Sequence, residues 1–196
     1  MNKMNLRLTL LLAIGLLAVV SVQAGSLEPP PGPVSPTNPP DTCFDNAGRY
    51  AVCGDGTVKD NLTGLFWLAN ANCFSSQNWS DANLSAAQLA DGQCGLTDGS
   101  LPGDWRLPTI EEWQVIVDAA NANACGGPTV PDVLGTGCCG TGTCAFSGVQ
   151  SSVYWSATTL DAGEPNLAWV ANLSIGLVFA DSKTISHFVW PVRGGP

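Results

Sequence analysis

Eight cysteines lie in this chain, at Cys43, Cys53, Cys73, Cys94, Cys125, Cys138, Cys139 and Cys144, and they constrain the fold more than any other feature. Their role depends on the compartment, which the N-terminus indicates. Lys3 and Arg7 precede an almost unbroken apolar run from Leu8 to Val22, and Val22-Gln23-Ala24 is a small-x-Ala cleavage site. That pattern is a signal peptide over 1–24. The apolar run is shorter than the roughly 20 residues of a membrane span. No cysteine follows the cleavage site, so a lipid-modified N-terminus is not supported. In an oxidising compartment an even cysteine count reads as disulfides. Eight cysteines allow on the order of a hundred pairings. Spacing suggests Cys73–Cys94 across a helix, and a cluster joining Cys125 to Cys138, Cys139 and Cys144. Zinc is disfavoured: the chain has one histidine, His187, and no CxxC pair.

Residues 25–41 hold seven prolines and almost no bulky apolar side chain. Such a segment is an extended linker rather than a foldable unit. The remainder, 42–196, is one domain's length, and seven tryptophans and six phenylalanines supply material for its core. The formal net charge is −9. Loss of residues 1–24 removes Lys3 and Arg7 and makes it more negative still. A chain this acidic repels DNA, RNA and anionic lipid, and a sulfated polyanion is an unfavourable partner for the same reason. Metal cations fit the charge better. No later apolar run is long enough to span a membrane.

"RYAVCGDGTVKDNLTGLFWL" reads as three short strands joined by turns at Gly54-Asp55-Gly56 and Asn61–Gly64. "NWSDANLSAAQLA" reads as a helix capped by Asn78, with Trp79, Ala82, Ala86 and Leu89 on one face. In "DWRLPTIEEWQ", Thr109 and Glu112 form a capping box that starts a second helix. Pro108 holds the chain extended before the cap, and Ile110, Trp113, Val117 and Ala120 share a face. Arg106 and Arg193 lie in apolar blocks and each needs an acidic partner, Asp104 being one candidate for Arg106. Residues 125–150 form a long loop rich in Gly, Thr and Cys. Strands follow at "SVYWSATT", "AWVANLS", "GLVFADS" and "HFVWPVRGG", with a hairpin turn at Ser174-Ile175-Gly176. Strands, two helices, a long loop and strands again make an α+β fold with antiparallel sheet. Trp67, Trp105, Trp113, Trp155, Trp169 and Trp190 read as core, and Trp79 as half exposed. His187 has no nucleophilic partner block and reads as a strand-edge residue.

Five blocks, "CGDGTVKDNLTGLFWL", "NWSDANLSAAQLADGQCGLTDGSLPGDWRLPTIEEW", "FSGVQSSVYWSATT", "AWVANLSIGLVFADSK" and "FVWPVRGG", occur in the order found in one bacterial domain. Over nearly all of 43–195 the chain resembles the C-terminal domain of a collagen-like surface adhesin, the Lcl C-terminal domain. The resemblance implies a C-type-lectin-like fold: two helices packed on small antiparallel sheets, with long disulfide-held loops presenting a variable surface. The namesake binds sulfated glycans. This chain has no collagen-like repeat, and its acidity opposes that ligand. "RLPTIEEW" also resembles a motif of formylglycine-generating enzymes. Those enzymes need a reactive cysteine pair late in the domain, whereas the last cysteine here is Cys144.

Glu164-Pro165-Asn166 resembles the tripeptide with which calcium-dependent lectins chelate Ca²⁺ and sugar hydroxyls, and carboxylate and amide oxygens suit that ion. Trp169 and Asn172 follow, without the lectins' Trp-Asn-Asp element. The plainer reading of the tripeptide is a turn with Pro165 at its corner. Together these features describe an exported, non-enzymatic recognition domain. It would be periplasmic, surface-borne or secreted, and would bind a glycan or surface protein through the 125–150 and 160–166 loops. The candidate binding residues are Glu164, Asn166, Trp169 and Asn172, with Ca²⁺ as the one compatible cofactor. A formylglycine-type oxidase and a purely structural envelope protein are the alternatives.

Overall fold

The computed structural model describes residue 43, residues 48–160 and residues 163–194. The expected signal peptide and Pro-rich linker lie outside them. The elements run β1 (Tyr50–Val52), β2 (Thr57–Asp60), β3 (Leu65–Leu68), α1 (Trp79–Gln88), α2 (Ile110–Ala122), β4 (Val153–Thr159), β5 (Leu167–Asn172), β6 (Leu177–Ser182) and β7 (Val192–Gly194). The fold is α+β, with one sheet ordered β1-β2-β3-β7 and another ordered β4-β5-β6. Every pairing between these strands is antiparallel.

The turns form where the glycines sit. Gly56 has φ +88°, and a Cβ there would lie 2.5 Å from the Gly95 carbonyl oxygen, so a side chain is excluded both by conformation and by space. Asp55 Oδ1 accepts from the Thr57 N–H and hydroxyl at 3.0 and 2.6 Å, which closes that turn. The β5–β6 hairpin turns at Ser174-Ile175-Gly176 as expected, pairing Asn172 with Leu177.

Both helix caps form as the sequence predicts. The Asn78 side chain accepts from the Asp81 N–H at 3.0 Å. At α2 the Thr109 hydroxyl accepts from the Glu112 N–H at 3.3 Å, while Glu112 Oε2 accepts from the Thr109 N–H at 2.7 Å. The capped helices cover opposite faces of the β4-β5-β6 sheet. Trp113, Ile116 and Val117 of α2 share a core with Tyr154 and Ala171. Ala82 and Ala86 of α1 pack with Trp155, Ala168 and Val170.

Five tryptophans, Trp67, Trp105, Trp113, Trp155 and Trp190, are fully buried. The indole N–H groups of three of them tie distant segments together. Trp113 donates to the Trp155 carbonyl at 3.1 Å, Trp155 to the Gln77 carbonyl at 2.8 Å and Trp190 to the Leu68 carbonyl at 2.7 Å. Trp67, Trp113 and Trp190 meet edge to face, with centroids 5.2 to 5.8 Å apart, the geometry that ring quadrupoles favour. Trp169 departs from the expectation: it is only half-buried. Its neighbours Ala168 and Val170 point into one core while Trp169 points to the other face of the sheet, at a place α2 does not fully cover.

The last block also differs. "HFVWPVRGG" is not one strand. His187 and Phe188 make single bridges to Gln77 and Tyr154, and only Val192–Gly194 joins a sheet, beside β3. Pro191 has no N–H to give a ladder. Its carbonyl instead accepts from the Leu68 N–H at 3.1 Å. The chain thereby passes from the three-stranded sheet to the four-stranded one.

All eight cysteines are bridged, as Cys43–Cys53, Cys73–Cys94, Cys125–Cys138 and Cys139–Cys144. The second pair spans α1, and the last two hold the long loop, as the spacing suggests. The loop's interior is organised by Asp132, whose Oδ1 accepts from the Thr136 and Gly137 N–H groups at 3.1 and 3.0 Å.

Candidate functional site

Asp104–Gln114 carries two adjacent carboxylates, Glu111 and Glu112, and the fold gives them different environments. Arg106 is fixed by a two-way backbone bridge to Val192, at 2.9 and 2.8 Å. From there its guanidinium reaches Glu112, with Nη1 to Oε2 at 2.8 Å and Nη2 to Oε1 at 2.6 Å. Glu112 therefore accepts from both Arg106 and the Thr109 N–H. These hydrogen bonds hold the Arg106 proton more tightly than usual.

Asp104 is not the partner of Arg106. It is exposed, and its Oδ2 accepts from the Leu101 N–H at 2.7 Å. Asp104 closes its own local turn, and the helix start brings Glu112 to the fork. The other arginine, Arg193, finds Asp98 at 3.1 Å, with both side chains buried. Asp98 also accepts from the Ser100 N–H and hydroxyl, at 3.1 and 2.7 Å.

Glu111 is exposed and makes no hydrogen bond or ion pair among the described residues. It borders an open cleft of about 400 Å³, lined by Ile110, Glu111, Gln114, Thr158, Thr159, Trp169 and Val178. The start of α2 forms one wall and the end of β4 the other. Trp169 and Val178 supply apolar surface from β5 and β6. Thr158 joins the two walls, its Oγ1 accepting from the Ile110 N–H at 3.0 Å. Gln114 donates its amide N–H to Asp118 at 2.6 Å. A second, mainly apolar groove of about 310 Å³ shares Glu111 and is lined by Leu62, Thr63, Leu65, Glu112 and Val115.

The four candidate binding residues of the sequence do not form one cluster. Glu164, Pro165 and Asn166 make the expected turn, closed by the Leu167 N–H donating to the Glu164 carbonyl at 3.0 Å. Asn172 lies at the far end of β5, roughly 20 Å of strand away. There its Oδ1 accepts from the Ser174 N–H at 3.0 Å. Trp169 lies between them and is the one of the four that lines the cleft.

The Glu164–Asn166 turn already holds a cation. Lys183 Nζ donates to the Pro165 carbonyl at 2.8 Å and to Thr159 Oγ1 at 3.1 Å, and lies 4.1 Å from the Trp79 ring centroid. The Lys183 N–H also donates to the Asn166 carbonyl, at 2.9 Å. The Lys183 ammonium thus already places a positive charge at this turn, on the Pro165 carbonyl. Among the described residues no group of three or more His, Cys, Asp or Glu side chains is placed to hold a metal ion.

His187 sits beside Asp181, with Nε2 to Oδ2 at 2.9 Å, and against the Trp155 ring at 4.6 Å. Its backbone makes an isolated bridge to Gln77 outside any strand, not the strand-edge place expected of it. No helix of the described residues is long and apolar enough to cross a membrane.

Sequence reasoning missed Glu111, Gln114, Thr158, Thr159 and Val178 as lining residues. The polar end of β4, Ser156 to Thr159, was the one available signal. It marks where a strand leaves the core. The sequence model of the Lcl C-terminal domain matches residues 56–193. No curated protein matches the chain.

Proposed function

The chain belongs to the Lcl C-terminal domain family, and on that premise we propose that it is an exported, non-enzymatic recognition domain of adhesion type, C-type-lectin-like in fold, that binds a glycan in the Trp169 cleft. One observation carries this reading. Of the seven tryptophans, five are core and Trp79 lies under the Lys183 ammonium. Trp169 lines an open cleft, and hydroxyl, amide and carboxylate groups surround it.

That combination suits a pyranose. The aromatic face covers the C–H surface of a sugar ring, while a few polar groups fix its hydroxyls. The four disulfides fit an oxidising destination, the periplasm, cell surface or medium. A non-enzymatic role is supported by Glu112, whose carboxylate is occupied by a cap and an arginine. The formal charge of −9 argues against a sulfated glycan as the ligand.

The test is calorimetric titration of the full chain with a panel of uncharged, amino and sulfated oligosaccharides, repeated with Trp169→Ala. Binding lost in the variant, with the melting temperature kept, supports the reading. Binding undiminished in Trp169→Ala, or no binding to any member, overturns it.

A further inference from the structure

The polar groups around Trp169 are not equivalent, because the protein has already engaged part of their capacity. Thr158 Oγ1 accepts from the Ile110 N–H and Thr159 Oγ1 accepts from Lys183 Nζ. Neither hydroxyl hydrogen has an acceptor among the described residues. Each threonine hydroxyl therefore keeps its hydrogen free to donate. On the opposite wall Gln114 donates one amide N–H to the Asp118 carboxylate, and its amide oxygen remains free to accept. Glu111 is an unengaged carboxylate and also only accepts.

The cleft thus offers free hydroxyl hydrogens on β4 and a free carboxylate and amide oxygen on α2. Charge follows the same axis. The Lys183 ammonium stands behind Thr159, and Glu111 stands unpaired across from it. Arg106, the nearest cation to Glu111 in sequence, is committed to Glu112.

Resting on the glycan reading above, we infer that the cleft takes a basic amino sugar, its ammonium directed to Glu111 and Gln114 and its ring or glycosidic oxygens to Thr158 and Thr159. An N-acetyl group removes the charge that Glu111 attracts. A sulfate in that position meets a carboxylate.

The experiment is titration of the full chain with three glucosamine oligosaccharides of equal length: with free, protonated amines, N-acetylated, and N-sulfated. The free-amine form should bind about three- to fivefold more tightly than the N-acetylated form, the scale of one solvent-exposed ion pair. Glu111→Gln should bring those two affinities together. Glu164→Gln removes an equal charge from an exposed turn outside the cleft and should leave the preference intact. Equal or better binding of the acetylated or sulfated form overturns the inference, as does a preference that survives Glu111→Gln or disappears equally in Glu164→Gln. Absence of the preference in the wild-type chain, while Trp169→Ala still abolishes binding, refutes the amino-sugar assignment alone. Binding indifferent to Trp169→Ala refutes the glycan site with it.

Discussion

Arg106 sets its guanidinium fork on the Glu112 carboxylate, at 2.8 and 2.6 Å, and in doing so divides two neighbouring glutamates. Glu112 becomes structural, and Glu111 remains free at the mouth of the cleft. The Arg106 side chain is 42% exposed and that of Glu112 18%, so the ion pair itself is worth less than about 1 kcal/mol. The shared cap adds about 1 kcal/mol.

Glu112→Ala should therefore destabilise the chain by about 1–2 kcal/mol, whereas Glu111→Ala should change stability little. Thermal unfolding of the two variants checks this. Equal losses would contradict the division of labour.

The Arg193–Asp98 pair is different in kind. Both side chains are almost fully buried, at 8% and 0% exposure. Removing one partner strands the other charge in the core. Asp98→Ala should cost about 3–5 kcal/mol, and adding Arg193→Leu should recover part of the loss, because the stranded guanidinium goes with it. A double variant no more stable than Asp98→Ala would contradict that explanation. Chemical denaturation of the single and double variants measures the difference.

Lys183 acts as the cation of the Glu164–Asn166 turn. Calcium should leave the wild-type melting temperature unchanged, because the Lys183 ammonium already sits on the Pro165 carbonyl and repels a second cation at this turn. Lys183→Met should raise hydrogen exchange at the Leu167 N–H, which closes the turn. A calcium-dependent rise in wild-type melting temperature would overturn this view.

Burial pushes the Tyr154 phenol up to about 12 from its ordinary 10.0, although the Gln150 N–H bonded to its oxygen works in the opposite direction. Tyr50 is raised too, also by burial. A phenol raised in the folded state keeps its proton where the unfolded chain has lost it. Its contribution is complete below pH 10 and falls as the pH rises toward 12. Alkaline stability should decline over that window, by roughly 2–3 kcal/mol for Tyr154, and Tyr154→Phe should flatten the decline. Denaturant midpoints at successive pH values give the measurement.

Much of this fold was legible locally. The Thr109–Glu112 box, the Asn78 cap, the glycine turns and the hairpin at Ser174–Gly176 depend on groups a few residues apart, whose meeting is decided by backbone geometry. The bridge across α1 followed from spacing, whereas in the long loop spacing indicated only that Cys125, Cys138, Cys139 and Cys144 cluster, not which pairs form. Cys43–Cys53 was not assigned, because many pairings remained compatible with the sequence. The run "HFVWPVRGG" read as one strand because its apolar residues hid the break that Pro191 makes.

The cleft was the least legible feature. Ala168, Trp169 and Val170 are all apolar, so alternation along β5 gives no sign of which face is wet. That is decided by how far α2 extends over the sheet, a matter of packing between elements distant in sequence. The same holds for Arg106. Its charge demands an acid, which the sequence states, but the choice of Glu112 over Asp104 was made by the bridge to Val192, far along the chain. The sequence by itself determined the α+β class, the helix starts and the turns, because those are short-range chemistry. Only the tertiary structure decided which of two adjacent glutamates stays free and which tryptophan meets solvent, because both depend on what the rest of the chain covers.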